Sequence, residues 1–342
     1  MAMVYLLNKI TKGSHYRFAG LFILYTSFTI AAFSQTLPGF KTTGSFTEQE
    51  FYSENFAKDV IININAPEKI NKKGKTYLVL FALPNGNSVE WTKGKKMKPG
   101  DDWHFDIQHI AAQTRFVRSV DKKNNYIVAY LIAAQKSWPT WKRTTPDSKI
   151  IIKHIVDSLS GMFAEYNPQI VLNGHSGGGS FIFGYLDIVE KIPFNIERIA
   201  FLDSDYGYDD SLHTKKITDW LQEKKKSKLV VVAYNDSLVI FNGKPLVSPT
   251  GGTWYRSRLM QHKLAKTFHF KTESDTALIN HEALKGRVRI ILKENPRGLI
   301  YHTVQVEKNG FILSLLSDTK FDKRKYFTYF GERVYGDLIS EE

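Results

Sequence analysis

The 342 residues are 42% hydrophobic and 24% charged, the balance of a folded chain with room for a sizeable core, which excludes intrinsic disorder. With no cysteine, disulfides, thiolate metal sites and lipid-bearing cysteines are excluded as well. The formal charge of +13 is dispersed over clusters such as Lys93, Lys95, Lys96 and Lys98, or Lys224, Lys225, Lys226 and Lys228, which read as solvated loops and helix ends rather than as a nucleic-acid face.

Lys9, Lys12 and Arg17 precede an apolar stretch from Phe18 to Phe33 that closes on Ala32-Phe33-Ser34. That order of basic, apolar and small residues predicts a secretory signal over 1–34, cleaved near Ser34, and export to the periplasm or medium. The stretch is shorter than the roughly 20 residues of a membrane-spanning helix, so membrane contact is expected only through this segment. Its loss removes three cations and leaves a mature chain of +10.

Beyond the leader, Val60, Ile62 and Ile64 alternate with polar neighbours and predict a half-exposed strand, whereas 77–83 is apolar throughout and predicts one buried on both faces. Continuous apolar runs recur at 126–134, 170–172, 199–202, 229–234 and 288–292. Helical patterns separate them, over about 103–120, 148–166, 177–190, 212–225, 254–268 and 304–316. This alternation predicts an α/β fold: a mostly parallel central sheet flanked by helices on both faces, in one domain over about 50–335. The stretch 237–286 is too long for a plain crossover and is expected to form a lid or insertion over the sheet's carboxyl edge.

Gly174-His175-Ser176-Gly177-Gly178 falls between the run 170–172 and the pattern beginning near Gly177. A Gly-x-Ser-x-Gly pentapeptide at a strand-to-helix junction forces a sharp, strained turn that lifts the serine hydroxyl clear of the sheet. The following helix aims its first free N–H groups at whatever the hydroxyl attacks, so Gly177 is a candidate oxyanion donor. Since functional groups gather beyond the carboxyl ends of parallel strands, the residues after each run matter most. After Leu83, Pro84-Asn85-Gly86-Asn87 offers a second donor, with Asn87 the candidate. Asn235-Asp236 follows 229–234, and His302 follows 288–292. A serine hydroxyl is a poor nucleophile at neutral pH, so His302 is the expected base and Asp236 the acid that fixes its tautomer.

Taken together, these residues resemble the α/β-hydrolase superfamily of serine esterases and lipases, over about Val60 to Leu316. The resemblance implies a nucleophile at Ser176, an acid at Asp236, a base at His302 and oxyanion donors at Gly177 and near Asn87, with no cofactor. The first oxyanion loop departs from the common His-Gly, reading Asn85-Gly86. Some members take their acid after the preceding strand, which keeps Asp203 and Asp205 open beside Asp236, and His281 rivals His302.

Asp102, His104, Asp106 and His109 form a cluster on paper only: the acids suit a helix start and the histidines are five apart, off a shared face, so no metal site is expected. Five of six tryptophans follow strands, among them Trp254, which with Tyr255 and Arg256 suggests a pocket stacking sugar rings or aromatic acyl groups. The expectation is an exported serine hydrolase of carboxylic esters, of small molecules or of polysaccharides, working through an acyl-enzyme. A serine peptidase of the same fold, or a catalytically silent carbohydrate-binding protein, are the alternatives.

Overall fold

The computed structural model describes residues 36–341, so the leader expected over 1–34 lies outside the described residues. In chain order the first strands are β1 (Lys41–Thr43), β2 (Glu48–Ala57), β3 (Val60–Ala66), β4 (Thr76–Ala82), β5 (Asn125–Ala133), β6 (Gln169–His175) and β7 (Ile196–Leu202). They are followed by β8 (Lys228–Tyr234), the short β9 (Ile240–Phe241) and β10 (Lys244–Pro245), and then β11 (Phe270–Ser274), β12 (Leu278–Ala283) and β13 (Val288–Lys293). All but β9 and β10 join one eleven-stranded sheet in the order β1-β2-β3-β5-β4-β6-β7-β8-β13-β12-β11. The central strands β5, β4, β6, β7, β8 and β13 run parallel, and antiparallel strands extend both edges.

The apolar runs become the parallel centre because helices cover both faces. One face packs α3 (Trp138–Thr144), α4 (Ser148–Met162), α5 (Gly179–Ile188), α6 (Asp210–Glu223) and α7 (Thr253–Leu264) over residues such as Leu80, Leu172 and Val231. The opposite face packs α1 (Val89–Lys93), α2 (Ile110–Val120) and α8 (Phe311–Leu316) over Val79, Val171 and Val232. Neighbours in sequence thus point into different cores, which is why a strand such as β5 is buried at every position and reads without alternation.

The alternating strand β3 is not a half-exposed edge. Its polar residues face inward, and Asn65 donates to Glu48 at 3.1 Å while Arg115 and Arg118 close on the same carboxylate at 2.8 and 2.7 Å. A polar side of a strand can therefore be buried where a charge network satisfies it. The pattern 103–120 breaks in two at His109, which adopts a left-handed conformation (φ 46°) with its ring held by Asp106.

The stretch 237–286 divides by role. The β9–β10 hairpin stands outside the main sheet, α7 packs Met260 and Leu264 onto that sheet, and β11 and β12 lengthen it.

Candidate active site

The elbow forms where β6 meets the sheet's carboxyl end. Ser176 has a φ of +54°, the strained left-handed conformation expected of a nucleophile elbow, and His175 before it is still extended. A tight turn of Ser176–Gly178 leads directly into α5. The glycines answer steric demands: a Cβ on Gly178 would lie 2.1 Å from the Ala82 carbonyl oxygen, and one on Gly179 would lie 1.6 Å from that of Ser204. Backbone thus passes backbone at van der Waals contact on two sides, and no larger residue fits.

Ser176 and Gly177 line a cavity of about 600 Å³ together with His302, which is carried on the loop after β13. That loop is held by the buried Asn295, whose side chain donates to the carbonyls of Asn235 and Leu299 at 3.0 and 2.8 Å and accepts from the Leu299 N–H at 2.9 Å. His175 braces it from below. Its Nε2–H donates to the His302 carbonyl at 3.1 Å, and burial together with the neighbouring His302 pushes its pKa well below the usual histidine range, so it stays a neutral donor.

The carboxylate facing His302 is that of Asp203, not Asp236. His302 Nδ1 lies 2.5 Å from Asp203 Oδ2, and Asp203 is fully buried. Asp203 follows β7 directly with a φ of +48°, its N–H still paired to the Val232 carbonyl at 2.8 Å, so the chain turns at the acid itself and presents it upward. The Ser204 hydroxyl ties this turn to the Gly174 carbonyl at 2.9 Å, fixing acid and elbow together. Along the chain Asp203 falls between Ser176 and His302.

Asp236 has a different partner. Its Oδ2 accepts the Thr253 N–H at 2.9 Å, at the first turn of α7, where the preceding Gly252 has no side chain to cap the helix. A Cβ on Gly252 would lie 2.3 Å from that oxygen, so the glycine admits the carboxylate. The Thr253 hydroxyl donates to Asp203 Oδ1, and one turn later Ser257 donates to Asp205 Oδ2 at 2.8 Å. One face of α7 therefore serves three buried acids. Burial, and then the Asp203 charge, raises Asp236 to about 6, and the same two causes raise Asp205 well above the usual carboxylate range.

Other expectations shift too. The residue of the first loop that meets Gly177 is Asn85, whose side chain would collide with any Cβ there (2.0 Å), and Asn85 lines the cavity where Asn87 does not. Gly86 anchors that loop through its N–H to the Lys136 carbonyl at 2.8 Å. Trp254 and Tyr255 do not line the cavity: Trp254 packs against the sheet-side core beneath Arg258, and the Arg256 guanidinium lies near the Tyr255 ring and donates to the Tyr208 carbonyl. Trp138 and Trp141 are buried core residues, and the aromatic rings on the cavity wall are Tyr206 and Tyr234. His281 lies in mid-strand on β12, bonded to Thr272 at the far edge of the sheet. Among the described residues no group of three or more histidines and acids is placed to hold a metal ion.

Sequence reasoning passed over Thr253, which donates to Asp203, and Asn295, which holds the loop that carries His302. A signal existed for the first: Gly251-Gly252 before a helix with no acid in its first turn calls for a cap from elsewhere.

An elbow serine after β6, a histidine after the last parallel strand and helices over both faces of the sheet define an α/β-hydrolase fold. No family model and no curated protein sequence matches the chain. Among solved structures it is similar to a thermostable esterase (16% identity, TM-score 0.45), covering 79% of this chain but only 59% of that one. It is also similar to poly(aspartic acid) hydrolase-1 from Sphingomonas sp. KT-1 (13%, TM-score 0.46, 80% and 99% covered) and to a feruloyl esterase module from Clostridium thermocellum bound to sinapinate (10%, TM-score 0.47, 83% and 94% covered). With overlaps this loose, the fold rests on the strand order and the elbow.

Proposed function

We propose that this chain is a serine hydrolase that cleaves carboxylic esters through an acyl-enzyme. The observation carrying the reading is the buried Asp203 carboxylate on His302 Nδ1, with that imidazole and the strained Ser176 on the wall of one cavity. A carboxylate on Nδ1 holds the proton there and leaves Nε2 as the basic nitrogen. The Ser176 oxygen attacks the ester carbonyl carbon while Nε2 takes its proton. The carbonyl π electrons move to oxygen, where the N–H groups of Gly177 and of the Asn85 loop are the donors. Collapse expels the alcohol, which receives the proton from Nε2, and water repeats the sequence to release the acid. Ser176 and His302 share the cavity wall, and in such sites the serine–histidine contact often tightens only on substrate binding.

Fluorophosphonate labelling tests the reading. Wild-type protein should be modified at Ser176 and should hydrolyse 4-nitrophenyl butyrate, and Ser176→Ala should lose about 10⁴- to 10⁶-fold in kcat. Hydrolysis by the alanine variant at the wild-type rate would end the proposal. Export belongs to the same reading, supported by the basic and apolar order of 1–34; no helix among the described residues is long and apolar enough to cross a membrane. Amino-terminal sequencing of the secreted protein should begin near Gln35.

A further inference from the structure

Strand order places two chemically different walls on opposite sides of Ser176. The sheet runs β5-β4-β6-β7-β8-β13 at its centre, so whatever follows β5 stands on one side of the elbow and whatever follows β8 or β13 stands on the other. From the β5 side comes α3, which contributes Pro139 and Lys142 to the cavity. From the β8 and β13 side come Leu246, Val247 and Ile300. The latter wall continues outward in exposed apolar residues: Leu238, Ile240 and Phe241 of the hairpin segment and Leu299 beside Ile300.

Lys142 is the exception on an otherwise neutral wall, the imidazole apart. Its stem passes over α5 at Gly184, where a Cβ would lie 3.4 Å from its Cδ, an ordinary packing distance. Ser180, one turn earlier on α5, lines the same cavity. The ammonium forms no hydrogen bond or ion pair among the described residues. Asp187 attracts it through space, but that carboxylate is already bonded to Lys149 and to His213, each at 2.9 Å. Burial draws the Lys142 pKa below the usual lysine range, the mark of a cation that has given up water without gaining a full partner. A half-buried lysine on the wall of a ligand cavity, with its charge in this condition, gains most from an anion that enters with the ligand.

We propose that the cavity takes an ester carrying a carboxylate on one arm and an apolar group on the other, with Lys142 binding the carboxylate and the Leu246, Val247 and Ile300 wall receiving the apolar arm. The proposal rests on the reading of Ser176 as an ester-cleaving nucleophile. Specificity of this kind needs the opposite placement of the two walls, because only then does the scissile carbonyl, between the arms, meet the serine.

Binding separates the two ideas. Calorimetry on Ser176→Ala protein compares N-phenylglutaramic acid with the uncharged N-phenylpentanamide, and, for the reversed amide, 4-(pentanoylamino)benzoate with its 4-methyl counterpart. At least one acid should bind tenfold or more tightly than its neutral partner. Adding Lys142→Gln should abolish that preference while the neutral amides still bind, which shows an intact cavity, and Lys142→Arg should restore part of it. Equal binding within both pairs, or a preference that survives Lys142→Gln, overturns the proposal even if wild-type protein hydrolyses nitrophenyl esters. A Lys142-dependent preference in a protein that cleaves no ester supports the anion site and defeats the hydrolase reading instead.

Discussion

The turns after β6 and β7 do the same mechanical job and leave different marks in the sequence. Each reverses the chain at a strand end through a non-glycine residue in the left-handed region, Ser176 at φ +54° and Asp203 at φ +48°. Around Ser176 the close passes at Gly174, Gly178 and Gly179 are backbone against backbone, and Gly177 meets the Asn85 side chain, so they demand glycine and announce themselves in the sequence. Around Asp203 the turn is held by hydrogen bonds to distant partners, the Val232 and Gly174 carbonyls and the Thr253 hydroxyl, and none of these requires a rare residue type nearby. Steric constraint is written locally; hydrogen-bonded constraint is written across the chain.

The sharpest way to break this comparison is to exchange the acids. Asp203→Asn keeps the shape of the turn but removes the charge that opposes the imidazolium, and kcat for 4-nitrophenyl butyrate should fall about 10⁴-fold. Asp236→Asn should cost less than tenfold, because its carboxyl touches the start of α7 and not the imidazole. Equal losses from the two substitutions would mean that the pairing of His302 with Asp203 does not persist during turnover.

Next in size is the contact that joins the two turns. Gly179→Ala forces a Cβ to 1.6 Å from the Ser204 carbonyl oxygen, a clash of backbone that no rotamer relieves. Such overpacking should lower stability by about 4 kcal/mol, read from the urea midpoint at unchanged slope. Since Ser204 adjoins Asp203, whatever folded protein remains should also lose activity. A variant as stable and active as wild type would show that the elbow and the acid turn are not locked together.

Legibility follows the same division. The parallel centre was readable because strands covered on both faces carry uninterrupted apolar runs, and the elbow because its glycines are forced. The antiparallel edges were harder. In β11 and β12 most side chains are exposed or half-exposed and carry no run that separates them from a loop, and one of the two buried faces of β3 is polar. The placement of His302 at the carboxyl edge follows from the last core strand alone. Which carboxylate it meets does not, since Asp203, Asp205 and Asp236 all follow strand ends and only three-dimensional placement of α7 decides which one the imidazole meets. The tryptophans misled for a related reason: Trp138 opens α3 after a strand end yet turns inward against Phe181, where packing rather than ligand stacking holds it.

A smaller effect distinguishes Asp236 as a buried helix cap. Its pKa of about 6 in the fold lies above the ordinary aspartate value of 3.8, so between these values the native state holds a proton that the unfolded chain has lost. Stability therefore falls as pH rises through this window and the cost is complete above it, about 3 kcal/mol at 1.36 kcal/mol per pKa step. Asp236→Asn still accepts the Thr253 N–H through its amide oxygen and carries no charge. It should exceed wild type in stability at pH 8 by an amount of that order and match it near pH 3. A stability difference that does not change with pH would remove the buried charge as its cause.

The finest test concerns the Thr253 hydroxyl, which reaches Asp203 from the first turn of α7. Thr253→Val preserves volume and the backbone N–H to Asp236 but leaves Asp203 Oδ1 buried without that donor. A hydrogen bond to a charged group contributes about 1.5–3 kcal/mol, part of which is shared between ground and transition states, so kcat should fall about tenfold with KM little changed. Thr253→Ser returns the hydroxyl and should return most of the rate. If valine and serine behave alike, the threonine acts only as packing at the head of α7, and the orientation of Asp203 comes from the Val232 carbonyl and the Ser204 tie alone.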